Sequence, residues 1–328
     1  MDLITRPLTG VTVRAAGRSP ALRVAVERLR ALGCRVETPA VEGTRRGGGD
    51  HRDEVAAGVL TVIGVPFPTS GTALPECRIG WAGPVAVPLA AERDVQAACG
   101  IMHVHGRAAG APRALPLDYA GACAGVLAVQ AVCAGVLALL RGGPALVART
   151  SVAQAALLAV GQYIAVATAE AEAEPELGPG AGPCLAADSS TESEGTRYHR
   201  GPFVSADGVR FEIETFDAER WGCFWAELDA AHADVAAGWP AFQGRFATAT
   251  CPLPAGLAAA AAAARYADIR AAGERSGVSV VPVRAADAPL PAAPASPWRL
   301  RVSPIAGLGH GLSALEPGAT APLAGLRV

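Results

Sequence analysis

Apolar and polar positions follow two rhythms along this chain, and the rhythms divide it into elements. Residues 20–32, PALRVAVERLRAL, place Leu22, Val26 and Leu29 at helical spacing. Pro20 suits the first helical turn and Gly33 the helix end. The flanking stretches VTVRA (11–15) and CRVETP (34–39) read as strands, so the chain opens as a β-α-β unit with a parallel strand pair. Short strands are expected in GVLTVIGVPF (58–67) and CRIGWAGPVAVPL (77–89), and residues 94–104 read as helix. VRFEIETF (209–216) alternates with a period of two, as a half-buried strand does. Asp207–Gly208 before it is a hairpin signal. Asp217 is placed to cap the helical stretch after it, DAERWGCFWAELDAA. Residues 255–273 read as an Ala-rich helix, and GVSVVPVRAADAPL (277–290) supplies a further strand.

The longest apolar run is LDYAGACAGVLAVQAVCAGVLALL, residues 117–140, in which Asp118 is followed by 22 uncharged residues. That is long enough to cross a bilayer. The run is nevertheless built of Ala and Gly, with Gln130 in its middle and few large aliphatic side chains. Small residues at 121, 125, 131 and 135 would let other backbones approach closely. A helix that is apolar all round is a buried one in a soluble protein, so the run is read as a core helix and no membrane span is expected. Residues 151–169, with Gln154 and Gln162, read as a second long helix. Arg141 closes the first, where a cation suits the negative end of the dipole.

A Glu/Pro/Gly/Ser-rich stretch divides the chain. The expected organisation is a larger α/β domain over 1–170, a linker over 171–200, a smaller α+β domain over 201–290 and a returning tail over 291–328. Residues 42–54, EGTRRGGGDHRDE, read as an exposed loop. One short repeat stands out: RPLTGVTV (6–13) returns as APLAGLRV (321–328).

Composition narrows the chemistry. The formal net charge is −2, which leaves no electrostatic footprint for nucleic acid. All 28 basic residues are Arg, so Schiff-base and P-loop lysines are excluded. The eight Cys are scattered without a CxxC pair, and Asp and Glu show no metal-ligand spacing, so no metal is expected. Reduced thiols and an opening without a signal pattern point to the cytoplasm. The remaining chemical candidate is Asp118, at the start of the long helix. Unpaired backbone N–H groups and the helix dipole favour a carboxylate there. It can serve as a nucleophile on an activated acyl group, as a base at an acyl α-carbon, or as a plain N-cap.

Several stretches, taken in order, carry a resemblance. RPLTGVTVRAAG with LRALGCRVETP, then ERDVQAACGIMHVHG (92–106), then LPLDYAGACAGVLAVQAVCAGVLALLRGG, then YHRGPFVSADGVRFEIETFDAERWGCFWAELD, and finally GVSVVPVRAADAPL together resemble the family III CoA transferases and the related α-methylacyl-CoA racemases. The resemblance spans most of residues 6–290. It implies an α/β fold with a Rossmann-like larger domain, a smaller α+β domain and an interlocked dimer. It places the family's catalytic Asp at Asp118, which in such transferases forms a mixed anhydride with the acyl group and then a thioester with CoA. In the racemases a His just upstream assists, and here that position holds Arg93; His103 and His105 follow a few residues on. Arg45 and Arg46 stand where the family has a longer basic stretch that contacts CoA. Acyl transfer through Asp118 is therefore the leading expectation. Racemisation, isomerisation or lyase chemistry at an acyl α-carbon and a non-catalytic scaffold half are the alternatives. The implied substrate is coenzyme A or an acyl thioester, with no tightly bound cofactor. The implied partners are a second copy, or a second CoA transferase-like unit as in tandem fusions, and an acyl carrier protein. The Ala/Gly/Pro/Arg-heavy composition fits GC-rich coding and a role in specialised metabolism.

Overall fold

The computed structural model describes residues 3–4, 6–38, 56–69, 71, 73–173, 198–199, 201–285, 300–301, 314–315 and 321–325. Arg45, Arg46, the charged loop 42–54 and most of the expected linker lie outside the described residues. The chain forms two compact units. One comprises 1–102, 114–161 and 292–328, the other 103–113 and 162–291.

In the first unit, β1 (Leu3–Ile4) precedes β2 (Thr12–Ala16), α1 (Pro20–Ala31) and β3 (Arg35–Glu37). Strands β2 and β3 pair in parallel, so the β-α-β opening forms as its pattern predicts. Ser19 caps α1 by accepting from the Leu22 amide at 3.1 Å, and Pro20 occupies the first turn. Ala21, Leu22, Ala25, Val26 and Leu29 make the buried face of α1. The chain continues through β4 (Ala56–Gly64), β5 (Glu76–Gly80), α2 (Glu92–Ala98), α3 (Ile101–Gly106, which passes into the second unit at His103), α4 (Tyr119–Leu140), β6 (Val147–Ser151) and α5 (Val152–Ala159). The sheet order is β3-β2-β4-β5-β6. Its two parallel pairs, β2–β3 and β5–β6, flank the single strand β4, which runs antiparallel to both of its neighbours. The helix expected over 94–104 is two short helices, parted at Gly100 with φ +82°.

α4 is the packing centre of this unit and lies against α1, α5 and the sheet. It is long and apolar enough to cross a membrane, yet half of its apolar window is buried inside the protein. Gly125 sets its approach to α1. A methyl group there would sit 2.5 Å from the Ala21 carbonyl oxygen and 2.9 Å from Val24 Cβ. Gly135 does the same against Pro75, at 2.7 Å. The small residues of the run thus let two backbones come close.

The run 151–169, expected as one helix, is broken. α5 ends at Ala159, and α6 (Gly161–Ala173) starts as a separate helix. Gly161 sits at the break, and glycine weakens a helix interior by about 1 kcal/mol relative to alanine.

The second unit contains β7 (Tyr198–His199), β8 (Phe203–Val204), β9 (Arg210–Glu214), α7 (Ala218–Glu227), α8 (His232–Thr248), β10 (Leu253–Pro254), α9 (Ala255–Ala263), α10 (Tyr266–Ser276) and β11 (Ser279–Pro282). β12 (Leu300–Arg301) pairs with β1 in the first unit. A three-stranded antiparallel sheet, β11-β9-β8, backs an aromatic core of Phe203, Phe211, Trp221, Phe224, Trp225 and Phe242. Asp217 caps α7 by accepting from the Glu219 and Arg220 amides at 2.8 and 3.2 Å.

The Ala-rich segment 255–273 is also two helices rather than one, and the reason is tertiary. Asp207 in the β8–β9 hairpin accepts from the Tyr266 amide at 2.9 Å and so caps α10 from outside. The Ala206 amide donates to the Ala264 carbonyl at 2.8 Å. Ala264 and Arg265 are held extended between the two helices. The Ser205 hydroxyl and the Tyr266 amide hold the Asp207 carboxyl below its ordinary range.

Replacing Gly125 with Ala forces α1 and α4 apart. The expected loss is about 1–3 kcal/mol, the usual cost of overpacking. It is read as a lower urea midpoint; an unchanged midpoint would mean that the helices are not packed this closely.

Candidate functional site

Asp118 stands at the N-cap position of α4, as its place in the sequence predicts. Its carboxylate, however, does not cap the helix. That role belongs to Glu92 at the start of α2. Glu92 Oε1 accepts from the Ala120 amide and Oε2 from the Gly121 amide, each at 2.8 Å. One carboxylate therefore fills both N–H positions that a capping side chain normally serves.

Gln96, one turn along α2 and 1 % exposed, completes the support. Its Nε2 donates to Glu92 Oε1 at 3.1 Å and to the Leu117 carbonyl at 3.0 Å, and its Oε1 accepts from the Leu115 amide at 2.8 Å. A buried amide with both ends satisfied fixes the strand of loop leading into Asp118.

The Asp118 carboxylate is thereby left to point outward. Its side chain is 49 % exposed, and its Oδ2 lies 3.5 Å from a guanidinium nitrogen of Arg23, itself 71 % exposed. Arg23 lies on α1 and also lines a cleft of about 460 Å³ together with Gly17, Arg18, Ser19, Glu27 and Arg30. Gly17 has φ +124°, and any Cβ there would meet the Gly58 backbone at 2.9 Å, so the chain turns tightly at the cleft floor. Three guanidinium groups against one carboxylate make the cleft receptive to phosphate or carboxylate groups.

Arg93 is exposed on α2, one residue after Glu92. Its neighbour Asp94 accepts from the Ala90 and Ala91 amides at 3.3 and 3.1 Å and serves the start of α2. His103 and His105 are exposed on α3 in the second unit, with His105 Nδ1 3.0 Å from the Arg113 carbonyl oxygen. Arg45 and Arg46 lie outside the described residues. Sequence reasoning missed Glu92, Gln96 and Arg23. The four-residue spacing of Glu92 and Gln96 on one helix face was the available signal for the first two. Nothing in the sequence marks Arg23 as the neighbour of Asp118.

The buried thiols Cys34 and Cys77 are poor candidates for nucleophiles. Burial pushes Cys34 up to about 12 and Cys77 up to about 11. The second unit holds a further cavity of about 370 Å³, lined by Arg107, Arg245, Phe246, Thr250 and Cys251 among others. There Arg245 stacks on Phe242, 3.8 Å from the ring centre, and pairs with Glu214.

Among protein families, the model for CoA-transferase family III matches residues 79–293. Among solved structures, the chain is similar to that of an aspartate-to-alanine mutant of Rv3272 from Mycobacterium tuberculosis. Sequence identity is 16 % and the TM-score 0.45, over 65 % of this chain and 52 % of that one. The chain thus spans about half the length of that structure. No curated protein matches the sequence.

Two outcomes are expected from this geometry. Glu92→Ala removes the cap of α4 and lowers stability by about 1–2 kcal/mol, whereas Glu92→Gln, which keeps one acceptor, costs less; urea denaturation of the two variants checks the order. Iodoacetamide on the folded protein at pH 8 labels the exposed Cys223 and spares Cys34 and Cys77, as peptide mass mapping would show. Those two thiols ionise near pH 9 when unfolded but only near 11 to 12 when folded. Their contribution to stability is therefore complete below pH 9 and disappears as pH rises from 9 towards 12.

Proposed function

The chain belongs to CoA-transferase family III, and from that premise we propose that it moves the thiol of an acyl thioester from one carboxylic acid to another, with Asp118 as the nucleophile. The observation that carries this reading is the capping of α4 by Glu92. It leaves the Asp118 oxygens outside their own helix, half-exposed and facing a guanidinium. A carboxylate used only as an N-cap would have its oxygens turned back onto the amides.

The reaction that fits this placement runs in balanced exchanges. A carboxylate oxygen of Asp118 attacks the carbonyl carbon of the acyl thioester, and the carbon–sulfur bond breaks to release the thiolate. The product is a mixed anhydride between the acyl group and Asp118. The thiolate then attacks the Asp118 carbonyl carbon, expelling the donor acid as a carboxylate and leaving an aspartyl thioester. An acceptor carboxylate attacks that thioester to form a second anhydride. The released thiolate takes the acceptor's acyl group and restores Asp118. Each step is nucleophilic catalysis at a carbonyl, with negative charge passing between oxygen and sulfur. Arg23 holds one Asp118 oxygen at rest and stays beside the charge as it moves, an electrostatic role.

The cleft lined by Arg18, Arg23 and Arg30 suits the phosphates of coenzyme A or of a carrier-protein phosphopantetheine. Arg93, His103 and His105 remain candidates for substrate contacts, as do Arg45 and Arg46. A cytoplasmic setting fits the seven described cysteines, all of them unpaired. The partner in this reading is a second copy or a second family III unit, in the interlocked form that the family resemblance implies.

Incubation with a reactive acyl thioester should give a hydroxylamine-sensitive mass adduct on Asp118. Asp118→Asn should lower the rate of adduct formation by about 10³-fold or more. Equal acylation of the Asn variant would overturn the nucleophile. Solvent deuterium entering the substrate α-carbon without any adduct would assign Asp118 as a base instead. Arg23→Gln should weaken thioester binding about tenfold, the loss of one charge-assisted contact.

A further inference from the structure

The segment at 321–325 repeats the opening of the chain in backbone as well as in sequence. Arg6–Gly10 reads RPLTG, and 321–325 reads APLAG. In the first, the Thr9 amide donates to the Arg6 carbonyl at 3.3 Å, and Gly10 has φ +87°. In the second, the Ala324 amide donates to the Ala321 carbonyl at 3.0 Å, and Gly325 has φ +75°. Each is a turn closed by the same bond and ended by a glycine in the left-handed region, where other residues are strained.

The two turns differ in what holds them. The C-terminal copy is seated on Arg141, which closes α4 and is 3 % exposed. The Arg141 guanidinium donates to the Pro322 carbonyl at 2.5 Å and to the Ala324 carbonyl at 2.8 Å. The Leu315 amide donates to the Arg141 carbonyl at 3.0 Å, which fixes the chain just before the turn. A buried guanidinium with two carbonyl acceptors is a directional, charge-assisted seat. In the N-terminal copy the equivalent acceptors are the Pro7 and Thr9 carbonyls. Both residues are exposed, and among the described residues neither carbonyl accepts a hydrogen bond. The opening turn therefore presents, unused, the two oxygens that its twin gives to Arg141.

We propose that Arg141 forms a docking seat for the PL-x-G turn, filled in cis by Ala321–Gly325 and open in trans to the Arg6–Gly10 turn of a second copy of this chain. Recognition lies in the backbone: two carbonyls spaced by one residue and a glycine that lets the turn close. The seated tail competes at the high effective concentration of a tethered segment. The trans contact accordingly grows with protein concentration.

Hydrogen exchange on the full chain, read by mass spectrometry, tests the seat. Arg141→Lys keeps the charge but lacks the fork that reaches two carbonyls. It should speed amide exchange across 314–325 at least tenfold, and unchanged exchange would overturn the seat. On the wild-type chain, the peptide RPLTGVTV at millimolar concentration should speed exchange of the same segment, while the peptide with Gly10→Val should not. No response to the first peptide, or an equal response to both, would overturn recognition of the turn. Sedimentation at rising concentration should show self-association that RPLTGVTV competes away. Association that is absent, or indifferent to the peptide, would overturn the trans contact.

Discussion

The carboxylate of Glu92 on the first amides of α4 is the contact on which the candidate site depends. The 22 uncharged residues of α4 include no charged side chain with which to satisfy the opening N–H groups, and Asp118 just before them does not cap the helix. In a buried setting those groups need partners, and leaving a buried donor unpaired costs about 1–3 kcal/mol. Two carboxylates stand near enough in the fold to do the work. Glu92 takes it, and Gln96 braces both Glu92 and the loop that delivers Asp118. The division of labour separates a structural anion from a chemical one. With a single carboxylate, anchoring the helix and meeting a substrate would compete for the same oxygens.

Gly125 and Gly135 support the same arrangement from the other side. They bring α4 against α1 and against Pro75. Close approach to α1 sets Arg23, on the exposed side of that helix, beside Asp118. The ion pair is exposed, and such pairs contribute little to stability. Its value lies in placing a cation at once on the carboxylate and on the wall of a cleft that holds two more arginines. Membership of CoA-transferase family III gives that placement a chemical context.

Features written in local pattern were legible. Leu22, Val26 and Leu29 announced α1, the uncharged run announced α4, and alternation over 209–216 announced β9. Asp217 was recognisable as a cap because the residues that it caps follow it directly. Features decided by distant residues were not legible. Residues 255–273 read as one helix because alanine favours helix throughout, and only a carboxylate from another hairpin divides it. The run 151–169 reads as continuous in the same way, with Gly161 as a faint sign of its break. Glu92 carried no local sign of its role, since its oxygens meet amides 28 and 29 residues away. The position of Asp118 was readable, and so was the chemistry that its family would assign to it. Its orientation was not, because that depends on which of two acids reaches the helix first.

The contact between Asp207 and the Tyr266 amide joins residues 59 positions apart. Such a link forms only after a long loop has closed, and closure is entropically costly before other contacts reward it. The start of α10 therefore has no cap until the β8–β9 hairpin exists and has met it. Without that contact nothing in the alanine-rich run itself separates α9 from α10, and alanine favours their continuation as a single rod. One aspartate thus converts the completion of a hairpin into the final shape of a helical pair.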